Sequence, residues 1–132
     1  MFYWPISVYY EDTDAGGVVY HANYLKFFER ARTEWLKSMG IGQTELLAQD
    51  IAFVVSHADI NFRRPAKFEQ TLEVVSSISQ LKRASLKFHQ RLVDADGQCY
   101  CEAEITVACV QLSCMKPHAI PPFIVQEFES AR

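Results

Sequence analysis

Between residues 21 and 39 the apolar side chains recur three and four positions apart, as Tyr24, Phe27, Phe28, Ala31, Trp35 and Met39. Lys26, Glu29, Arg30, Glu34 and Lys37 fill much of the remainder. That spacing predicts one long amphipathic helix from about His21 to Met39, stopped by Gly40. Downstream the pattern shortens to the strand period. Runs rich in Val, Ile, Phe and Thr predict strands over roughly 51–63, 70–80, 84–94 and 98–112. Upstream, Pro5 to Glu11 alternates enough for a first strand, and Thr44 to Ala48 reads as a short helix. Asp94-Ala95-Asp96-Gly97 reads as a hairpin turn; it looks like the start of a calcium loop, but the later liganding positions are missing. Pro117, Pro121 and Pro122 end the last strand, and Phe123 to Glu129 is expected to form a terminal helical turn. The order predicts an α+β domain, with the helix held in the curve of a mostly antiparallel sheet of about five strands. Such a sheet is expected to leave an apolar outer face and bare edges for another copy to cover.

The chain of 132 residues is the size of one domain, taken as 1–132, with no repeat or linker to divide it. Apolar residues at 49% and charged residues at 22% exclude a disordered chain. A net charge of −3 argues against nucleic acid as the main partner. The apolar runs are far short of the about 20 residues a membrane helix needs. Met1-Phe2-Tyr3-Trp4-Pro5 lacks the features of a signal peptide, so a cytoplasmic location is expected. Cys99, Cys101, Cys109 and Cys114 form no Cys-x-x-Cys pair and complete no zinc site with His. Cys99 and Cys101 are expected to face the same way on a strand, badly placed to bridge, and all four to stay reduced. His57, His89 and His118 are isolated. No metal and no cofactor are expected.

The segment Tyr10-Glu11-Asp12-Thr13-Asp14-Ala15-Gly16-Gly17 sits just ahead of the helix and crowds three acids into four positions. A helix N-terminus offers free N–H groups and partial positive charge, which polarise a carbonyl or hold an oxyanion. Gly16 and Gly17 carry no Cβ, so a substrate can approach that backbone. A carboxylate beside such a site serves as nucleophile or as base toward water. The plainer alternative is an acidic turn that caps the helix.

The run Tyr9 to Ala22 resembles the acyl-CoA thioesterases of the hotdog fold. Within them it looks like the Tol–Pal-associated branch related to 4-hydroxybenzoyl-CoA thioesterases. Phe28-Glu29-Arg30-Ala31-Arg32-Thr33-Glu34, Ala52-Phe53-Val54-Val55, Val107-Ala108-Cys109-Val110 and Met115-Lys116-Pro117 extend the similarity over nearly the whole chain. The resemblance implies a hotdog domain, pairing as dimers and dimers of dimers, with active sites at the dimer interface. It implies hydrolysis of acyl-CoA or acyl carrier protein thioesters. Asp14 maps to the catalytic carboxylate, Tyr10 and His21 to active-site positions, and the His21 N–H is the candidate for polarising the thioester carbonyl. Asp12 is expected to brace the loop. Arg63, Arg64 and Lys67 around Pro65 stand either as a charged surface loop or as contacts for CoA phosphates. Glu29 and Glu34 are expected in ion pairs near Arg30 and Arg32, although other hotdog enzymes carry their carboxylate on the helix. Two other functions stay open: a hotdog dehydratase, and a non-catalytic acyl-binding module for envelope assembly.

Overall fold

The computed structural model describes residues Met1–Arg132. Six strands, three helices and one 3-10 turn follow one another: β1 Phe2–Ser7, the turn Tyr10–Asp12, α1 Asn23–Ser38, α2 Gln43–Ala48, β2 Ile51–Phe62, β3 Thr71–Leu81, β4 Ser85–Val93, β5 Cys99–Gln111, β6 Lys116–Pro117 and α3 Pro122–Ala131. The five main strands form one antiparallel sheet in the order β1-β3-β4-β5-β2, and β6 pairs with the end of β5. The two-residue β6 is the addition to the expected five.

α1 buries the stripe its sequence announces: Tyr24, Phe27, Phe28, Ala31, Trp35 and Leu36 lie in the core. Met39 packs only partly against it. The helix begins at Asn23 rather than His21, because Tyr20 to Ala22 are drawn into a turn that the Asn23 N–H closes on the Tyr20 carbonyl at 2.8 Å. Its far end is a paired-bond termination: Ile41 N–H reaches the Leu36 carbonyl and Gly40 N–H the Lys37 carbonyl, both at 2.9 Å. Gly40 has φ +78°, which this cap requires.

The inner face of the sheet follows the period of two. Leu86, Phe88, Gln90 and Leu92 on β4, with Cys101, Ala103, Ile105, Val107 and Cys109 on β5, point at the helix. The polar member is satisfied. Gln90 Nε2 donates to the Phe28 carbonyl and to Ser76 Oγ, each at 3.0 Å, and its Oε1 accepts from Arg32 Nη1 at 2.9 Å. One side chain thereby ties α1 to β3 and β4.

Four sequence expectations are corrected. The first strand ends at Ser7, because the Tyr9 N–H is captured by the Asp12 carboxylate and the chain turns there. Pro5 is tolerated in β1 because that strand is an edge. The outer face of the sheet is largely polar rather than apolar, carrying Lys87, His89, Arg91, Glu102 and Glu104, with Glu102 bonded to Arg63 at 2.7 Å and His89 at 2.9 Å. Cys99 and Cys101 do not share a face: the register shifts between Leu92 and Val93. Cys101 is sealed in the core, whereas Cys99 lies among the charges of Glu102, Arg91 and Arg63. Finally, Phe123 to Glu129 belongs to a full ten-residue helix, started by Pro122 and anchored by Ile124 and Phe128.

The Asp94 turn supplies its own donors. Asp94 Oδ1 accepts from Asp96 N and Gln98 N at 2.9 Å, and Gly97 takes φ +81°. The Gln98 N–H, together with the Tyr100 hydroxyl and the Asp96 N–H, holds this carboxyl below the usual range.

Phe28 is fully buried, so Phe28→Ala should lower unfolding free energy by about 3–5 kcal/mol in a urea titration. A loss under about 1 kcal/mol would show that α1 is not seated as described. The thiols should separate in a native labelling time course. None of the four is paired. Cys114 is exposed, whereas burial pushes the Cys101 thiol up to about 12 and raises that of Cys109. Cys114 should react first, Cys101 and Cys109 only after denaturant is added. Labelling of Cys101 as fast as Cys114 would contradict this core.

Candidate active site

The acidic loop is built from its base upward. Asp12 is 4% exposed and spends its carboxylate on fastening. Its Oδ2 accepts from Tyr9 N and its Oδ1 from Asn23 Nδ2, both at 2.9 Å, while its carbonyl accepts from Tyr20 N at 2.9 Å. The bracing role expected of Asp12 is what these bonds describe. Above the clamp, Thr13 pairs with Val19 and Val18 with Lys67, making a small hairpin beside the 63–70 segment. Val19 N–H reaches the Ala66 carbonyl at 2.8 Å.

Asp14 stands at the tip of that hairpin. Its N–H donates to the Val18 carbonyl at 2.9 Å, and its carbonyl accepts from Gly17 N at 3.0 Å. Its Oδ1 accepts from Gly16 N at 2.8 Å, and Oδ2 has no protein partner. The carboxylate is thus oriented by its own turn, with one oxygen free. The glycines follow from this geometry. A Cβ on Gly16 would sit 3.2 Å from Asp14 Oδ1, and Gly17 takes φ +79°, where other residues are strained.

The start of α1 has no side-chain cap and no acidic residue in its first turn. The His21 N–H donates to no protein acceptor, so the partial positive charge there is unspent. The His21 ring lies 4.5 Å from the Tyr20 ring and edge-on to Phe62 at 6.3 Å. It opens on a cleft of about 280 Å³ lined by Val19, Tyr24, Phe62, Arg63, Arg64 and Pro65. Tyr24 is fixed there: its hydroxyl accepts from Ala66 N at 3.1 Å, and burial raises its pKa.

The expected site residues are therefore sorted. His21 and Arg64 share the cleft, Asp14, Gly16 and Gly17 share the hairpin, and Lys67 faces it across the bridge to Val18. Arg63 is engaged by Glu102, leaving Arg64 without an ion pair. Tyr10 is not joined to Asp14. It is 77% exposed, makes no side-chain hydrogen bond, and tilts against Phe68 at 5.8 Å. No hydrogen bond links Asp14 to His21 within the chain, and the carboxylate takes its donor from Gly16 rather than from the helix.

Glu34 pairs with Lys37 at 3.6 Å, not with an arginine, and Glu29 forms no ion pair. Instead Glu29 lines a second cavity of about 310 Å³ between α1 and the sheet, together with Arg32, Thr33, Phe53, Val55 and Phe128. This chamber was not legible beforehand. Its one sequence signal is a basic residue, Arg32, on the buried stripe of the helix.

Comparison with known proteins agrees with the geometry. Residues 8–128 match the family model of the thioesterase-like superfamily. The acyl-CoA thioester hydrolase YbgC of Escherichia coli O6:H1 is 47% identical over 129 residues, covering 98% of this chain and 96% of that one. The acyl-CoA thioesterase YbgC of Haemophilus influenzae is 47% identical over 128 residues, with 96% and 93% covered. In three dimensions the 1,4-dihydroxy-2-naphthoyl-CoA thioesterase from Synechocystis superposes with a TM-score of 0.90 at 26% identity, covering 96% and 94% of the two chains. A curved antiparallel sheet wrapped on one long helix, with a fixed carboxylate loop at the helix start, is thus the hotdog arrangement, and the chain belongs to the thioesterase-like superfamily.

Proposed function

We propose that this enzyme hydrolyses acyl-CoA thioesters to a free acid and CoA, with acyl carrier protein thioesters as a second substrate form. The observation that carries the reading is the pair of unspent groups on the segment leading into α1: Asp14 Oδ2, free on a carboxylate held by Gly16, and the unbonded His21 N–H. The acyl-CoA thioester hydrolysis of the YbgC relatives supplies the substrate class.

Chemically, the thioester carbonyl oxygen lies toward the His21 N–H, where charge that develops on it is stabilised by the helix terminus. With Asp14 as general base, its carboxylate takes a proton from water as the water oxygen bonds to the carbonyl carbon. Collapse of the tetrahedral intermediate breaks the C–S bond, and the proton on Asp14 passes to the departing thiolate. With Asp14 as nucleophile, the carboxylate itself bonds to the carbonyl carbon to form an anhydride and expels the thiolate; water then cleaves the anhydride, and the proton it releases converts the thiolate to the thiol. Both routes need the ionised carboxylate. Gly16 and Gly17 keep that carboxylate placed and the backbone open, while the His21 ring and Tyr10 border the approach. Arg64 and Lys67 offer cations to the CoA phosphates.

The assembly we propose is a two-fold dimer through β2, with dimers pairing in turn. β2 is a twelve-residue edge strand with one side unpaired and with Val55 and Phe62 more than half exposed. An edge of that length and character invites antiparallel pairing with its own copy. We place the enzyme in the cytoplasm, in the branch associated with the Tol–Pal envelope system.

Two measurements test this. Asp14→Asn should lower kcat on a medium-chain acyl-CoA by about 10²–10⁴-fold or more, with thermal midpoint and analogue binding kept. Hydrolysis within about threefold of wild type would make Asp14 structural; hydrolysis by neither form, with binding by both, would favour an acyl-binding module. Light scattering should give a multiple of the 15.1 kDa chain mass at micromolar concentration. A clean monomer would remove the interface site.

A further inference from the structure

Asparagine is a favoured N-cap, yet in this chain it stands one place too late for that role, as the first residue of α1 after Ala22. Asn23 is 8% exposed, and its side chain caps no helical N–H. Its Nδ2 donates instead to Asp12 Oδ1 at 2.9 Å, eleven positions back along the chain. A short amide side chain is a poorer helix former than Ala or Leu. What it does here is read from the backbone on either side.

Three hydrogen bonds close a circuit around His21. Tyr20 N–H donates to the Asp12 carbonyl at 2.9 Å, and Asn23 N–H donates to the Tyr20 carbonyl at 2.8 Å. The Asn23 amide then returns to the Asp12 carboxylate. The Tyr20 carbonyl and the His21 N–H belong to one planar trans peptide, so holding the carbonyl fixes the N–H in the opposite direction. The carbonyl is turned in toward Asn23, and the N–H is left facing out of the turn with no protein acceptor. The Asn23 bond also strengthens that donor, because an amide whose oxygen accepts a hydrogen bond is polarised at its nitrogen. The His21 ring does not substitute for this. It rests on the Tyr20 and Phe62 rings, which locates the side chain and not the peptide before it. Burial of Asp12 and Asn23 keeps water from competing for the circuit.

We infer that Asn23 is the positioning residue of the oxyanion donor: through Asp12 and the Tyr20 carbonyl, it aims and polarises the His21 N–H at the thioester carbonyl. The inference deepens the proposed hydrolysis and rests on the His21 N–H being its donor. Asn23 itself touches no reacting atom. Any residue at this position keeps the backbone N–H, but only one with a suitable side chain holds that N–H against the loop.

The test sets Asn23→Asp against the exchanged pair Asp12→Asn/Asn23→Asp. The single change opposes two carboxylates and breaks the circuit. The exchange rebuilds it with reversed polarity. The amide introduced at position 12 accepts from Tyr9 N–H through its oxygen and donates through its nitrogen to the carboxylate introduced at position 23. On a medium-chain acyl-CoA, Asn23→Asp should lower kcat by about 10–10²-fold, short of the effect of deleting an oxyanion donor, with KM within about threefold. The exchanged pair should recover most of that loss. A second readout needs no turnover. A dethia acyl-CoA, with a methylene in place of the thioester sulfur and an isotope-labelled carbonyl, is bound at saturation, and its carbonyl stretch is recorded by infrared difference. Wild type should pull the band below its frequency in water, Asn23→Asp should let it return toward that value, and the exchanged pair should pull it down again. If Asn23→Asp does not fold, Asn23→Ala, which removes the donor and adds no charge, takes its place in both readouts. A band unshifted in wild type, or left in the wild-type position by the single variant, overturns the inference. So does a fall in kcat with the band unchanged, or a loss that the exchanged pair does not recover. Should wild type cleave no thioester, the proposed hydrolysis fails separately and the band decides alone. Lowered by wild type and released by the single variant, it upholds the aiming of this N–H; any other pattern sinks it.

Discussion

The buried Asp12 carboxylate is the fastening on which the acidic loop and the start of α1 depend. It takes one donor from the chain before it, at Tyr9, and one from the helix after it, at Asn23, while its carbonyl receives Tyr20. An ionised or strongly hydrogen-bonded acid that is 4% exposed is tolerable only with that degree of satisfaction. Because the base of the loop is fixed this way, its tip does not need to be. Asp14 can remain outside, oriented by a single turn. Two acids two positions apart thus differ in what holds them: Asp12 is bonded through both oxygens, and Asp14 keeps one oxygen free.

The same economy applies to the helix. Most α-helices satisfy their first N–H groups with a Ser, Thr, Asp or Asn cap, whereas α1 starts after Ala22 without one. Its stability comes from the stripe of aromatic side chains and from the termination at Gly40, so it can leave its N-terminal donors open. Gln90 contributes at the middle, where one amide binds the helix backbone, a neighbouring strand and Arg32 together.

Much of this was legible in the residues. The helix was, because six apolar side chains repeat with its period; the sheet was, because the strands are long and β-branched. The acidic loop stood out through its crowding of acids and glycines. What escaped depended on contacts between distant segments. The capture of Tyr9 by Asp12 shortened the first strand. A one-residue shift in the ladder at β5 sent Cys99 away from Cys101. α3 was underestimated because its anchors, Ile124 and Phe128, are only two and follow two prolines. The setting of Tyr10 was not legible either: it lies in a 3-10 turn and tilts against Phe68, a contact between segments far apart in the chain. The chamber around Arg32 could not be seen because α1, β2, β4, β5 and α3 all contribute to its wall.

That shared wall has an evolutionary consequence. The acidic hairpin hangs from two isolated bridges and a clamp, so its tip can change with little effect on the rest of the protein. The chamber around Arg32 is different, since Leu86, Phe88 and Phe128 belong at once to its lining and to the hydrophobic core. A lineage that altered its substrate range through those positions would draw on its folding stability at each step. Diversification of the chemistry and diversification of the substrate should therefore proceed at different rates in this architecture, the first limited by geometry and the second by how much stability the core can lose.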